Sequence, residues 1–282
     1  MNIAGQLEAL SARLLGDWPY LDAQLIVAHV LEKPRTWVLA HTEQDLAPEQ
    51  LAAIEACAVH LEAGTPLPYV LGHWEFFGRD FSITPDVLLP RPETETLVEG
   101  AIRWLQASPE RRTVADVGTG SGAIGVTLAA HVPGLYILAT DLSLAALRVA
   151  RCNAIRFDID RHMDFLACDL LPPHHAGLPT DLHFDLICAN LPYIPTATLK
   201  SLKVFGREPA LALDGGPDGL GPLRRLLSIA PDWLAPNGRI LLEIEATMGV
   251  RALSLAYDLF NEAEIRLHQD LTGRDRLLEI QL

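Results

Sequence analysis

The N-terminal 70 residues carry apolar positions at the three- and four-residue spacing that places side chains on one face of a helix. Pro48 suits the first turn of such a helix, because a proline there loses no intrahelical hydrogen bond. Residues 1–70 are therefore predicted to form a small helical domain that packs against or recruits a partner. The spaced apolar residues are Ile3, Leu7, Leu10 and Leu14, then Leu21, Leu25, Ala28 and Leu31, and finally Leu51, Ile54, Ala58 and Leu61.

Aromatic residues cluster in the next segment, residues 71–90. The stretch from Trp74 to Phe81 is rich in aromatic residues, and Gly72 and Gly78 supply turn positions. Aromatic residues bounded by glycine are typical of short strands joined by a turn. This segment is predicted to be a β-hairpin linker between two domains.

Short apolar runs and helical patterns alternate from residue 91 to residue 282. Alternation of this kind indicates a mostly parallel, doubly wound, Rossmann-like α/β sheet. The last two predicted strands are joined by a short turn around Gly273 and should form an antiparallel hairpin at the edge of the sheet. The predicted strands are Thr113–Val117, Tyr136–Thr140, His162–Ala167, Phe184–Ala189, Arg239–Glu243, Glu264–His268 and Arg276–Ile280. The predicted helices begin near Pro92, Ser121, Ser143, Gly221 and Met248.

A glycine-rich loop follows the first strand of this α/β domain, where such sheets bind nucleotides. Gly120, Gly122 and Gly125 fit the dinucleotide fingerprint. Asp116, two positions before Gly118, instead favours S-adenosylmethionine. A carboxylate there would repel a pyrophosphate, whereas it would offset the positive charges of a sulfonium and an ammonium group. A tight turn without a ligand is the alternative. The candidate cofactor-binding residues of this loop are Asp116, Gly118, Thr119, Gly120, Ser121 and Gly122.

Carboxylates also follow the second and third strands. Asp141 is predicted to accept hydrogen bonds from a ribose diol, or alternatively to cap the next helix. Asp169 is predicted to accept a hydrogen bond from the adenine amino group, with Leu170 covering the ring; an ordinary loop aspartate is the alternative.

Asn190-Leu191-Pro192-Tyr193 follows the fourth strand and is the most informative feature of the sequence. A planar NH2 group is a poor nucleophile, and two acceptors that hold both of its hydrogens fix the nitrogen in space. The Asn190 side-chain oxygen and the Leu191 carbonyl are the predicted acceptors, with Pro192 holding Leu191 extended and Tyr193 offering a flat face. These four residues are the candidate catalytic and substrate-binding residues; a strand-ending turn is the alternative.

The charge of the chain argues against nucleic acid as a partner. The net charge is −14, and the 282 residues include only three lysines. Binding to a phosphate backbone needs a basic surface, so autonomous nucleic-acid binding is not expected.

Metal sites, disulfides and membrane segments are not expected either. The four cysteines form no C-x-x-C pair, and the adjacent His174 and His175 have no third ligand at metal spacing. No apolar run approaches about 18 residues, and no signal peptide precedes the first helix. A cytoplasmic location follows as the expectation.

Several blocks give the chain a resemblance to the PrmC/HemK family, the release-factor glutamine methyltransferases. The most distinctive block is Leu88-Leu89-Pro90-Arg91-Pro92-Glu93-Thr94-Glu95. Further matching blocks are Pro68-Tyr69, Gly72, Glu75-Phe76-Phe77-Gly78, Glu208-Pro209, Ala212-Leu213-Asp214-Gly215-Gly216, Asp218-Gly219-Leu220, Asp270, Gly273 and Arg276.

The resemblance implies a helical substrate-recognition domain (1–70), a hairpin linker (71–90) and a seven-stranded class I methyltransferase domain (91–282). It implies transfer of a methyl group from S-adenosylmethionine to the glutamine of the Gly-Gly-Gln loop of peptide chain release factors 1 and 2. By the same resemblance, residues 118–122, Asp141, Leu170 and Asn190 contact the cofactor, and residues 190–193 bind the glutamine. The supporting residues are Arg91, Pro92, Glu93 and Thr94.

Leu191 departs from the family, which usually has Asn-Pro-Pro-Tyr. Asn-Leu-Pro-Tyr is more similar to the rRNA adenine dimethyltransferases, so an adenine-N6 methyltransferase acting on rRNA or DNA is the alternative function. A nicotinamide oxidoreductase and a non-enzymatic binding module are further alternatives. The acceptor expected at position 191 is a backbone carbonyl, which leucine retains, and the other family blocks favour glutamine as the substrate.

Overall fold

A computed structural model describes residues 1–173, 179 and 182–282. The chain divides into two compact units, Met1–His73 and Trp74–Leu282. By this division most of the segment predicted as a separate linker, residues 71–90, belongs to the second unit. The three-part division at residues 70 and 90 therefore stays a prediction.

The first unit is helical, as the apolar spacing predicts. The Asn2 side chain caps the first helix by accepting a hydrogen bond from the Gly5 backbone N–H at 3.0 Å. Pro19 and Pro48 each occupy the first position of a helix. The helices are α1 (Ile3–Ser11), α2 (Pro19–Leu31), α3 (Arg35–Ala40), α4 (Pro48–Glu62) and α5 (Leu67–Leu71).

The predicted face of α2 is partly wrong. Ala23, Ile26 and Val27 are fully buried there, whereas Leu21 and Leu25 are only half-buried. The segment is apolar on more than one side, so spacing alone does not select the face that packs into the core.

The predicted hairpin is formed by β1 (His73–Phe76) and β2 (Arg79–Ser82), and all of it except His73 belongs to the second unit. Phe77 and Gly78 between the strands both have positive φ, 52° and 70°. Two such residues form the turn whose twist matches paired antiparallel strands. Phe76 and Phe81 are buried and pack edge to face, with 6.0 Å between their ring centroids.

The rest of the second unit is a layered α/β fold. Among the described residues, seven strands form one sheet in the order β5-β4-β3-β6-β7-β9-β8, parallel except for the two pairs that involve β9. The strands are β3 (Thr113–Val117), β4 (Tyr136–Asp141), β5 (Met163–Ala167), β6 (Phe184–Ala189), β7 (Leu234–Glu243), β8 (Glu264–Gln269) and β9 (Asp275–Gln281). The helices are α6 (Thr94–Gln106), α7 (Ala123–His131), α8 (Leu144–Arg156), α9 (Thr196–Leu199), α10 (Gly221–Ile229) and α11 (Gly249–Leu259).

The end of helix α10 and the start of strand β7 depend on local breaks in the sequence pattern. Helix α10 ends at Ile229, because Pro231 cannot continue an α-helix and a 3-10 turn follows. Strand β7 begins at Leu234 rather than Arg239, and its pairing with β6 is irregular between Phe184 and Leu186. Asn237 and Gly238 lie inside β7, and such residues are typical of turns, so the sequence pattern does not predict the first half of this strand.

The strand order fixes where a ligand can bind. The chain runs from β3 through β4 to β5 on one side, then returns to β6 and β7 on the other side. Val117 at the end of β3 is paired with Ala189 at the end of β6. The loops after these two strands therefore flank the crevice where doubly wound sheets bind ligands.

No described helix is long and apolar enough to cross a membrane. Within the described residues, no three His, Cys, Asp or Glu side chains are grouped as metal ligands. His174 and His175 lie outside the described residues.

Candidate active site

A cavity of about 400 Å³ lies at the carboxyl ends of β3, β4 and β6, within the size range of small-molecule sites. Its walls come from the glycine loop after β3, the ends of β4 and β6, and two segments near residues 85–94 and 209–225. The predicted site residues that line it are Arg91, Thr94, Gly118, Thr119, Gly120, Ser121, Asp141, Asp169, Leu170, Asn190, Leu191 and Pro192.

The three glycines of the loop serve different purposes. Gly120, with φ of 56°, has open space where a side chain would project, so a ligand can approach its backbone. A side chain at Gly118 would contact Leu191, 3.2 Å away. Gly122 does not line the cavity; a side chain there would collide with Val126 and Ala150. Gly122 is thus required for packing between α7 and α8, not for direct ligand approach.

Asp116 lies below the loop rather than in the cavity, a correction to the predicted cofactor contact. Its side chain is fully buried and accepts hydrogen bonds from the Thr119 hydroxyl at 2.6 Å and the Gly125 N–H at 2.9 Å. Burial raises the pKa of the Asp116 carboxyl to about 6. Asp116 thus holds the loop from its buried side. It binds the Gly125 N–H in the first turn of α7, where a dinucleotide would place its pyrophosphate.

Asp141 lines the cavity and connects two segments. One carboxylate oxygen accepts the Gly120 N–H at 3.0 Å and the other accepts the Ser143 N–H at 2.8 Å. Ser143 caps α8, so the alternative that Asp141 is the helix cap is wrong. Each carboxylate oxygen has a further lone pair for a ligand hydroxyl.

Asp169 and Leu170 lie at the far end of the cavity. Both oxygens of Asp169 accept hydrogen bonds from the Arg225 guanidinium, at 2.6 and 3.0 Å. Leu170 has a positive φ of 63°, and its carbonyl accepts the Thr140 hydroxyl at 2.7 Å. That bond fixes the strained backbone which presents Leu170 to the cavity. An adenine contact from Asp169 would share its oxygens with Arg225.

Asn190 is held at the opposite end by two buried residues from distant segments. Its side-chain nitrogen donates to the Thr94 hydroxyl oxygen at 3.1 Å. The Thr94 hydroxyl in turn donates to Glu243 at 2.5 Å. Because the amide nitrogen is turned toward Thr94, the amide oxygen is left as the free end of the Asn190 side chain.

Glu243 is a buried carboxyl at the end of β7, with 6 % of its surface exposed. Burial raises its pKa to about 7 from 4.5, and the nearby Glu93 carboxylate adds to the rise. Hydrogen bonds from Thr94 and Asn190, and the charge of Arg276, act in the opposite direction. Glu243 is therefore poised to change its charge near neutral pH.

The residues after Asn190 are shaped by two glycines from the 214–220 segment. Gly215 and Gly219 lie against the Tyr193 backbone, where any side chain would collide with it. Asp214 is bridged to Ile194, and hydrogen bonds from Thr196 and Gly216 lower the pKa of its carboxyl. The glycine blocks of this segment are thus explained by close approach to the Asn190–Tyr193 backbone.

Tyr193 does not line the cavity. Its ring packs against the core, and burial raises its pKa to about 12. The flat face predicted for the substrate is not presented there, and its direct role stays a prediction.

Arg91 and Glu208 join two walls of the cavity. The Arg91 guanidinium lies 2.5 Å from a carboxylate oxygen of Glu208, and the other oxygen accepts the Leu89 N–H at 3.2 Å. Pro92 and Glu93 do not line the cavity; the Glu93 carboxylate lies 3.9 Å from Arg276. Arg91 and Thr94 thus form part of the cavity wall, whereas Pro92 and Glu93 lie outside the lining.

Comparison with known proteins identifies the family. Residues 7–72 match the model of the PrmC N-terminal domain, and residues 98–202 match the methyltransferase small domain. The chain is 40% identical over 259 residues to the release factor glutamine methyltransferase of Moorella thermoacetica, covering 92% of this chain and 89% of that protein. It is 38% identical over 287 residues to that of Cereibacter sphaeroides, covering 100% and 99%. The chain belongs to the release factor glutamine methyltransferase family.

The fold agrees with this family. The described chain shares the class I methyltransferase fold with a methyltransferase from Pyrococcus furiosus, with a TM-score of 0.50 at 17% identity over 80% of this chain and 96% of that one. The predicted fold class and the predicted family are confirmed. The family block at residues 88–95 joins two walls of the cavity through the contacts of Leu89 and Arg91 with Glu208. The block at residues 212–220 packs against the Tyr193 backbone.

Sequence analysis assigns no role in the site to four residues that the structure places at or behind its walls: Asp214, Glu208, Arg225 and Glu243. Glu243 carried a usable signal, because it is a carboxylate at the end of a predicted strand, as Asp141 is. Glu208 and Asp214 stood in family blocks with no assigned contact. Arg225 gave no signal, since an arginine on a helix is usually solvated.

Proposed function

We propose that this protein transfers a methyl group from S-adenosylmethionine to the side-chain amide nitrogen of the Gly-Gly-Gln glutamine in peptide chain release factors 1 and 2. The observation that carries the proposal is the orientation of Asn190. Its amide nitrogen is bound to Thr94 at 3.1 Å, which leaves the oxygen as an acceptor in a cavity beside the glycine loop. The names of the family members supply the class of substrate.

The lining of the cavity suits S-adenosylmethionine better than a dinucleotide. Of the described residues that line it, four are aspartates and two are arginines, so its charge favours a cation over a pyrophosphate. Those aspartates are Asp86, Asp141, Asp169 and Asp214. Asp141 would hold the ribose, Gly120 would allow close approach, and Leu170 would cover the adenine. When bound, the cofactor supplies a methyl group made electrophilic by a sulfonium.

The acceptor end then holds the glutamine amide. The Asn190 oxygen accepts one hydrogen of the substrate NH2 group, and the Leu191 carbonyl accepts the other. Both bonds oppose delocalisation of the nitrogen lone pair and aim it at the methyl group, so positioning supplies much of the rate. The nitrogen–methyl bond would form as the sulfur–methyl bond breaks, which leaves a neutral thioether. The methylated nitrogen then loses one proton to water, so no strong base is required beforehand.

Leu191 keeps this geometry without the usual proline. Its backbone carbonyl remains available as an acceptor, and Pro192 still restricts Leu191 to extended conformations. Its side chain is buried and lies next to Gly118, which anchors the segment on the cofactor loop. Packing thus replaces the rigidity that a proline ring would give.

The proposal is tested by incubating intact release factor 1 or 2 with the enzyme and radiolabelled S-adenosylmethionine. Label should appear on the release factor, map by mass spectrometry to the Gly-Gly-Gln glutamine, and vanish when that glutamine is replaced by alanine. Label that survives the replacement contradicts the proposal. Label on rRNA or DNA without a protein acceptor would instead support an adenine methyltransferase. The reaction we propose belongs to translation termination in the cytoplasm.

A further inference from the structure

Three segments far apart in the chain bring one row of side chains to the acceptor end. Asn190 follows β6, Thr94 opens α6, and Glu243 ends β7. Thr94 and Glu243 are 4 % and 6 % exposed, so water does not compete for their hydrogen bonds. The row runs from Asn190 to Thr94 at 3.1 Å and from Thr94 to Glu243 at 2.5 Å.

An ionised Glu243 gives this row a single direction. A carboxylate only accepts hydrogen bonds, so the Thr94 hydroxyl must donate to it. The Thr94 oxygen is then left as an acceptor, and Asn190 must present its NH2 group. The two ends of an asparagine amide have nearly the same shape, so packing alone does not distinguish them.

We propose that Glu243 is a positioning residue that acts through Thr94, and by its own hydrogen bond with Asn190, to fix which end of the Asn190 amide faces the acceptor nitrogen. This inference rests on the proposed function, in which the Asn190 oxygen must accept a substrate N–H. Glu243 itself does not line the cavity and does not touch the substrate; it sets the orientation of the residue that does.

Protonation of Glu243 removes this control. The groups that act on its carboxyl are Thr94, Asn190, Glu93, Arg276 and Tyr193. A neutral Glu243 can donate to Thr94, whose hydroxyl is then free to donate to the Asn190 oxygen. The amide can turn over and present its NH2 group to the substrate NH2 group, a pairing of donors that binds nothing. Methyl transfer should therefore fall on the acid side of neutral pH.

The first test needs no methyl acceptor. The side-chain NH2 signals of a protein labelled with 15N at asparagine are followed between about pH 5.5 and 8.5 with S-adenosylhomocysteine bound. The Asn190 signal, assigned with Asn190→Ala, should shift with one transition near neutrality in the wild type and stay constant in Glu243→Gln. An Asn190 signal that ignores pH in the wild type, or shifts equally in Glu243→Gln, overturns the proposal.

The second test measures single-turnover methyl transfer to a release factor over the same range. Glu243→Gln should lower the rate roughly tenfold at pH 8 and flatten the acid limb, with binding of S-adenosylhomocysteine unchanged within about twofold. A variant that loses cofactor binding and rate together, with the acid limb intact, would show a merely structural role and overturn the proposal.

Thr94 supplies a second pair of variants in case Glu243→Gln does not fold. Thr94→Ser keeps the hydroxyl and should keep the acid limb of the wild-type pH profile. Thr94→Val removes the hydroxyl and should lose rate and flatten the profile, and equal behaviour of the two variants contradicts the inference. If the wild type labels no release factor, the proposed function fails, while the asparagine signals still decide whether Glu243 orients Asn190.

Discussion

The two ends of the cavity are held by different kinds of hydrogen bond. At the cofactor end, Asp116 binds residues three and nine positions away, and Asp141 binds Gly120, 21 positions away. At the acceptor end, the bond between Asn190 and Thr94 spans 96 positions and the bond between Thr94 and Glu243 spans 149. The glycine loop and Asp141 are thus a local structure of one β-α-β unit, whereas the acceptor end exists only when distant parts of the domain have packed.

This difference separates the expected effects of substitutions. A change at the cofactor end should weaken cofactor binding first. A change at the acceptor end should slow methyl transfer while cofactor affinity stays close to normal.

Asn190→Ala should have the largest effect, because it removes one of the two acceptors that hold the substrate nitrogen. We expect the single-turnover rate to fall by on the order of 100-fold or more. Cofactor affinity, measured by calorimetry with S-adenosylhomocysteine, should fall much less. A normal transfer rate in this variant would remove the basis for the acceptor end.

The buried carboxyls should make the folded protein lose stability as the pH rises. The pKa of Glu243 is about 7 against 4.5, and that of Asp116 about 6 against 3.8, so the folded state binds more protons between these values. These two groups should therefore make the free energy of unfolding higher near pH 5 than near pH 8. Glu243→Gln should reduce the loss by on the order of 2 kcal/mol in urea unfolding. An identical pH dependence in the variant would contradict the burial of an ionisable Glu243.

Gly219→Ala should disturb the acceptor end through the backbone. Gly219 has φ of 77°, and a side chain there would collide with the Tyr193 carbonyl oxygen and approach Met248. We expect the transfer rate to fall roughly tenfold with cofactor affinity unchanged. Gly273→Ala is the matched control, because Gly273 also has φ of 77° but no atom within 4 Å of the added carbon. Equal rates in the two variants would show that contact with Tyr193 does not matter.

Asp141→Asn should affect the cofactor end alone. The amide keeps the shape of the side chain but presents NH2 where a carboxylate oxygen now accepts the Gly120 or Ser143 N–H. We expect calorimetry to show cofactor binding weakened by roughly fivefold to tenfold. The transfer rate at saturating cofactor should be close to normal. A variant with normal affinity and a slow rate would reverse the assignment of the two ends.

The contrast between the ends also explains what the sequence reveals. The glycine loop and Asp141 were predictable, because strand ends of one β-α-β unit meet at one sheet edge and their partners lie nearby in the chain. The family blocks added Arg91 and Thr94 as supporting residues without a physical role. Their partners, Glu208 and Glu243, are more than 100 positions away in the chain. A local sequence pattern does not predict contacts between residues so far apart in sequence.

Asp116 and Gly122 show a second limit. Their types and positions are right for a cofactor loop, yet both stabilise the loop from behind rather than lining the cavity. A motif gives residue types at a turn, but which side chains face outward depends on the three-dimensional path of the turn. The same reason explains α2, where apolar spacing predicted a helix but not its buried face.

The most direct measurement is a crystal structure of the enzyme with S-adenosylhomocysteine and a Gly-Gly-Gln peptide. The Asn190 oxygen and the Leu191 carbonyl should both lie within hydrogen-bond distance of the glutamine nitrogen, with that nitrogen facing the sulfur and the ribose on Asp141. A glutamine bound elsewhere, or an Asn190 amide that turns its NH2 group toward the substrate, would contradict the account.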